Sequence, residues 1–256
     1  MSDRPNKIVK TSIAFAVLFA GLGFGLAKSG VVKFSPYDQS AVKKNLAPKL
    51  AQQQVSIGAP VFIRIFKESA ELELWMKDVA GQSSGQSTAQ SSGQWKLFQT
   101  YPICYYSGDL GPKLKEGDQQ SPEGFYRVSK SQMNPNSTYH LSFNLGYPNK
   151  FDRANGRTGS YLMVHGNCVS IGCYAMTDEK IEEIYTLANS TFKNGQKTFQ
   201  VHIFPFRMTD KNMQDHAGSK WFEFWQNLKQ GYDYFEQNKQ LPIITTVGKK
   251  YKISDK

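Results

Sequence analysis

Short segments in which apolar and polar positions alternate dominate this chain. "PVFIRIFKES" alternates from Val61 to Phe66, "LELWMK" follows from Leu72, and "WKLFQTYPIC" runs from Trp95 to Cys104. Period-two patterning of this length predicts strands. "SPEGFYRVSK" (121–130) reads as a Pro-Glu-Gly turn leading into a further strand, and "STYHLSFNLGYP" (137–148), "GSYLMVHG" and "KTFQVHIFPF" add three more. Two segments switch to helical spacing. In "TDEKIEEIYTLANSTFKNG" the apolar residues Ile181, Ile184, Tyr185, Ala188 and Phe192 share one face. Thr177 is placed to cap that helix, Asp178 and Glu179 to complement its first turn, and Gly195 to stop it. "WFEFWQNLKQGYDYFEQNK" reads as a second amphipathic helix, loosened at Gly231. Its aromatic face (Trp221, Phe222, Phe224, Trp225) is core packing by default, with a membrane-facing patch as the less favoured alternative.

The pattern predicts a mostly β, α+β domain with a few packed helices. There is no βαβ rhythm of a Rossmann or TIM fold. No GxGxxG or GxxxxGK[ST] occurs, so a nucleotide cradle is unsupported. Residues 28–54 are polar and linker-like, with a short helix expected at 39–54. Residues 81–94, "GQSSGQSTAQSSGQ", cannot bury a core and read as a flexible loop between two strands. Residues 55–210 carry the main domain, and 211–256 a C-terminal helical extension.

Residues 1–27 change the picture of where the chain works. Arg4, Lys7 and Lys10 precede an uncharged, mostly apolar run from Ser12 to Ala27, which Lys28 ends. This is the pattern of an export signal, with retention as a membrane anchor as the alternative. Either way the remainder is expected outside the cytoplasm, in the periplasm, touching membrane only through this segment if it is kept.

The full chain of 256 residues carries a formal charge of +10. Removing 1–27 takes away three basic residues and Asp3, leaving about +8 (10 − 2). Such an excess suits anionic wall polymers or lipid head groups. No Lys/Arg run is dense enough to predict nucleic acid as a partner. The three cysteines, Cys104, Cys168 and Cys173, are an odd number, which suggests one pair and one free thiol, or no pair.

The chemistry concentrates in "VHGNCVSIGCYAMTD", residues 164–178. Four readings compete. His165, Cys168 and Cys173, with His202, contain metal-ligating side chains, but HxxC with CxxxxC is not a common zinc spacing. A disulfide could join Cys168 to Cys173 or to Cys104, and connectivity is not deducible from sequence. The cysteines could simply be buried small hydrophobes. Lastly, a thiol near a base is a nucleophile. His165 at a strand end and Cys173 on the next turn can meet if the loop folds back. Gly172 before the cysteine allows a tight turn with exposed N–H groups.

At this point the residues resemble the L,D-transpeptidase family. The resemblance is carried by "YPICYYSGDLGPKLKEGDQQSPEGFYRV", "LSFNLGYPNKFDRANGRTGS", "MVHGNCVSIGCYAMTD" and "VHIFPFRM", spanning Pro60 to Met208 around the Gln/Ser/Gly loop. It is similar most closely to the branch that detaches murein lipoprotein from peptidoglycan. The resemblance implies a β-sandwich catalytic domain, Cys173 as nucleophile, His165 as general base, and the N–H groups of Gly172 and Cys173 as oxyanion hole. It implies attack on a peptide bond at diaminopimelate through a thioester, with no metal or organic cofactor, and with peptidoglycan and its attached lipoprotein as partners.

Two positions depart from the family pattern. Ile171 stands where His is usual, and Tyr174-Ala175 replaces the usual Ile-Arg. The substrate-gripping arginine is thus missing from its place. Arg153, Arg157 and Arg207 are the candidate replacements, with a surface ion pair as the ordinary alternative, favoured for Arg153. Ser170, Tyr174 and His202 are further candidates for the substrate groove, and Tyr147 a neighbour of it. Each has an ordinary alternative, as a turn serine, a packed aromatic or a structural histidine. These departures favour hydrolysis of the peptidoglycan–lipoprotein link over formation of 3–3 cross-links or lipoprotein attachment, while intact His165 and Cys173 argue against the other alternative, a non-catalytic wall-binding module.

Overall fold

The computed structural model describes residues 37–77 and 93–255. The expected export or anchor segment, and most of the loop at 81–94, lie outside the described residues. The order of elements begins α1 (Gln39–Gln52), β1 (Val61–Phe66), β2 (Glu71–Lys77), β3 (Trp95–Pro102), β4 (Tyr105–Tyr106), β5 (Gly124–Ser129), β6 (Met133–Ser137) and β7 (His140–Asn144). It continues α2 (Lys150–Ala154), β8 (Met163–His165), β9 (Tyr174–Ala175), α3 (Asp178–Lys193), β10 (Thr198–Phe204), α4 (Asp210–Asp215), α5 (Phe222–Asn238), β11 (Ile243–Val247) and β12 (Lys250–Ser254). This is the α+β class.

Two five-stranded sheets form the body. One has the order β3-β2-β1-β10-β5, the other β4-β9-β8-β7-β6, and β11-β12 is a separate hairpin. The largest core lies where Ile63, Ile65, Val201 and Ile203 of the first sheet meet Leu141, Phe143, Val164 and Tyr174 of the second. Phe143 and Phe199 touch edge to face across the sheets, ring centres 5.6 Å apart. Helix α3 adds Ile181, Ile184, Leu187 and Ala188 to this core, and α1 adds Val42, Leu46 and Leu50.

Strand β1 corrects the simplest reading of its alternation. A half-buried strand would expose its even positions, yet all six residues are buried. The reason is α5, which covers the other face: Phe235 packs on Phe62 and Trp75, and Tyr232 on Phe66. Arg64 sits in this second interior and is satisfied there by Glu73 at 2.7 Å and Glu236 at 2.6 Å. The C-terminal segment is therefore part of the packed body, and it ends in a hairpin as well as helices. Trp225 is buried in it, with Trp221, Phe222 and Phe224 packed around.

Helix α5 is also continuous through Gly231, contrary to the expected loosening. A Cβ there would lie 2.6 Å from the Phe125 ring, so this glycine lets the helix approach the sheet.

Candidate active site

The second sheet brings "VHG" and "GCYA" side by side. β8 and β9 are parallel, with Val164 level with Tyr174 and His165 level with Ala175. Val164 and Tyr174 face the core. Alternation therefore puts His165 and Ala175 on the opposite face, and Cys173 directly precedes β9 on the turn that enters it.

His165 is 3% exposed. Its Nδ1 lies 2.6 Å from the Gly166 carbonyl oxygen, and its ring lies against Tyr139 at 4.8 Å. A carbonyl only accepts, so Nδ1 carries the hydrogen and Nε2 keeps the lone pair. Burial holds the imidazole pKa below the usual histidine value, partly offset by the Gly166 bond. Gly166 is required here, because a Cβ would lie 2.6 Å from Asp178 Oδ1. That carboxylate accepts the Asn167 N–H at 2.8 Å and so fixes the start of the loop.

The loop then passes through two left-handed residues, Asn167 (φ 66°) and Cys168 (φ 45°). Cys168 is disulfide-bonded to Cys104, with Cα atoms 5.3 Å apart. The bond ties the loop to the start of β4 and leaves Cys173 as the free thiol. The cysteines therefore follow the one-pair reading, and among the described residues no group of three His, Cys, Asp or Glu side chains forms a metal site.

Cys173 follows a tight turn in which Gly172 takes φ +93°. The Ser170 hydroxyl accepts the Cys173 N–H at 2.8 Å, and Ser107 Oγ accepts the Gly172 N–H at 2.6 Å. The two N–H groups expected to form an oxyanion hole are thus aligned by hydroxyls in the resting structure. Ser121 Oγ donates to the Cys173 carbonyl at 3.1 Å. The sulfur accepts from the Met163 N–H at 3.3 Å and donates to the Tyr161 carbonyl at 3.6 Å. Burial pushes the thiol pKa up, and the Met163 N–H, Ser170 and the Lys113 charge oppose that rise. Both shifts favour the uncharged thiol and imidazole over the charged pair. No hydrogen bond joins them in this state among the described residues.

Of the residues proposed for the substrate groove, Ser170 alone is brought into contact with Cys173. Tyr174 faces the core with its hydroxyl on the Pro122 carbonyl at 2.7 Å, because its strand position alternates away from Cys173. Arg157 is consumed by Asp152 at 2.9 Å and by the rings of Phe151 and Phe224. Arg207 bridges Glu71 and Glu73, each at 2.7 Å. Arg153 donates to the Pro148 carbonyl. His202 is fully buried among Phe62, Phe125 and Phe204 on the α5 side of β10, and Tyr147 is buried with its hydroxyl on Lys113 O and Thr158 O. Reading single residues missed Ser107, Lys113 and Ser121. They come from a loop 52–65 residues upstream of the bonds Ser107 and Ser121 make, so no local spacing marks them.

Residues 88–203 match the L,D-transpeptidase catalytic domain of the YkuD type. The chain is 46% identical over 202 residues to the protein named "Putative L,D-transpeptidase YafK" of Escherichia coli (strain K12), covering 79% of this chain and 77% of that protein. Among solved structures, the helical cell shape determining protein Pgp2 of Campylobacter jejuni aligns over 84% of this chain and 82% of its own, at 16% identity and a TM-score of 0.42. Bd1075 of Bdellovibrio bacteriovorus aligns over 71% of this chain and 61% of its own, at 20% identity and a TM-score of 0.36. These two likenesses are too distant to bear on the site. With a relative this similar over most of both chains, and a catalytic-domain match that spans the His165 and Cys173 segments, the chain belongs to the L,D-transpeptidase family.

Proposed function

We propose that the protein is a cysteine-dependent acyl-transfer enzyme of the cell envelope that acts on peptidoglycan peptides at diaminopimelate. The observation that carries this reading is the free thiol of Cys173, on the turn entering β9 beside the strand that ends at His165, whose Nδ1 is held by the Gly166 carbonyl and leaves Nε2 its lone pair. In the proposed reaction Nε2 takes the thiol proton as sulfur attacks the carbonyl carbon. The tetrahedral oxyanion displaces the neutral hydroxyls of Ser107 and Ser170 from the Gly172 and Cys173 N–H groups, which bind an anion more strongly. Collapse breaks the C–N bond, and the imidazolium returns its proton to the leaving amine. Water, activated by the same imidazole, then cleaves the thioester.

We favour water over an amine as acceptor, and the peptidoglycan–lipoprotein link as the bond cut. The Ile171 and Tyr174-Ala175 departures support this choice. Formation of 3–3 cross-links, or attachment of lipoprotein, is the competing activity. The positive charge of the chain suits an anionic wall polymer, and its N-terminal pattern suits export to the periplasm. Among the described residues no helix is long and apolar enough to cross a membrane.

The test incubates the purified protein, and its Cys173→Ala variant, with sacculi carrying covalently attached lipoprotein. Lipoprotein release by the wild type alone supports the hydrolase. New 3–3 muropeptides instead make it a transpeptidase. Binding without products from either form overturns the enzyme reading in favour of a wall-binding module.

A further inference from the structure

Arg157 and Arg207 are held in ion pairs and Arg153 lies exposed on the Pro148 carbonyl, whereas one buried cation, Lys113, acts on the Cys173 thiol. Lys113 has a side chain only 5% exposed and pairs with Asp118. Its ammonium also donates to the Lys115 carbonyl at 3.0 Å. An ammonium has three donors, so one is left without a partner among the described residues. Asp118 is a saturated counter-ion. Its Oδ1 takes Lys113 and the Gln120 N–H, at 3.1 Å for the latter. Its Oδ2 takes the Leu114 and Lys115 N–H groups at 2.8 and 2.9 Å. Backbone dipoles therefore share that carboxylate, leaving the ammonium less fully neutralised.

Position makes the residue more than a clamp. On one side, Lys113 Cε is 2.9 Å from where a Cβ would stand on Gly159. That glycine is two residues before Tyr161, whose carbonyl accepts from the Cys173 sulfur. On the other side, the Asp118 loop reaches the nucleophile turn: Gln120 O lies 3.7 Å from the Cβ position of Gly172, and Ser121 bonds the Cys173 carbonyl. The Lys113 side chain thus lies between the 159–161 segment and the Asp118 loop, each of which bonds Cys173. The charge of Lys113 also reaches the thiol and opposes its rise in pKa.

We propose that the Lys113 ammonium, seated between the two segments that flank the Cys173 sulfur, anchors a carboxylate of the substrate. The inference deepens the proposed function, since diaminopimelate brings a free carboxylate close to the bond cut, and it rests on Cys173 being the reacting thiol. A planar guanidinium would grip such a group in two places; a lysine acts as a point charge and tolerates several carboxylate orientations.

The test needs no peptidoglycan. With the Cys104–Cys168 disulfide intact, Cys173 is the sole free cysteine of the three. Its alkylation rates with iodoacetate and iodoacetamide are measured at one pH and salt concentration. Their ratio cancels any change in thiolate fraction and reads attraction of a carboxylate to the sulfur. The wild-type ratio is expected about tenfold above that of 2-mercaptoethanol. Lys113→Met brings it down to the free-thiol value, and Lys113→Arg keeps most of it. A wild-type ratio equal to the free thiol overturns the proposal, whether or not the variants fold. So does a raised ratio that survives in a folded Lys113→Met. A raised, Lys113-dependent ratio in a protein inert on sacculi would keep the anion site and remove the peptidoglycan reading instead.

Discussion

Ser170 and Cys173 are joined by a 2.8 Å hydrogen bond from the cysteine N–H to the serine hydroxyl, across a turn with only Ile171 and Gly172 between them. The bond fixes where the sulfur points, and Gly172 makes the turn possible at φ +93°. Gly172→Ala forces a side chain into that conformation and within 3.4 Å of Leu162. We expect a stability loss of about 1–3 kcal/mol and a fall in kcat/KM of about a hundredfold from the displaced sulfur. Thermal melting and steady-state rates check both. Wild-type rates in this variant would show that the turn geometry is dispensable.

The disulfide closes a separation of 64 residues and ties the nucleophile loop to β4. Cys104→Ser with Cys168→Ser is expected to cost about 2–4 kcal/mol. Iodoacetamide labelling of Cys173 should also become faster, as the loop above the sulfur loosens. Unchanged melting and labelling would mean that the loop holds itself.

Two buried histidines set the acid side of the pH profile. His165 is held below the usual histidine pKa by burial, and His202 far below it, by burial and then by the nearby charges of Arg64 and Arg127. A base whose folded pKa is depressed binds fewer protons folded than unfolded. Stability is therefore full above the unfolded value of about 6.5 and is lost as pH falls below it. His202→Met should flatten that acid slope in a melting series. In the proposed mechanism the uncharged form of His165 is the base, so the acid limb of kcat/KM should lie below pH of about 6.5. A limb above it would contradict the buried, neutral imidazole.

Lys67 and Glu123 form a fully buried pair at 3.2 Å. The same ammonium holds the carbonyls of Asp109, Gly111 and Ser121. Lys67→Met leaves Glu123 without its buried cation and deprives three carbonyls of a donor, at a cost of about 3–5 kcal/mol. Ser121 also bonds the Cys173 carbonyl, so activity should fall with stability. Urea titration beside a rate assay checks both.

The strands and α3 were legible because period-two and helical spacing report burial directly, and α1 was found at 39–52 within the expected range. Residues buried on both faces were harder. In β1, alternation implied an exposed edge that α5 in fact covers. Strand parity also decides the groove residues. Tyr174 is adjacent to Cys173 in sequence and for that reason points the opposite way. His165 and Cys173 stood out because they lie in one short motif. Ser107, Lys113 and Ser121 did not, since only the fold brings their loop to the sulfur.

The central claim is that Cys173 becomes acylated. The direct measurement is intact-protein mass spectrometry during incubation with diaminopimelate-containing muropeptides, wild type beside Cys173→Ala and His165→Ala. A peptide adduct that maps to Cys173, is absent in Cys173→Ala, and is strongly slowed in His165→Ala is the predicted result. Product release that persists in Cys173→Ala, or an adduct that maps to another residue, would contradict the account.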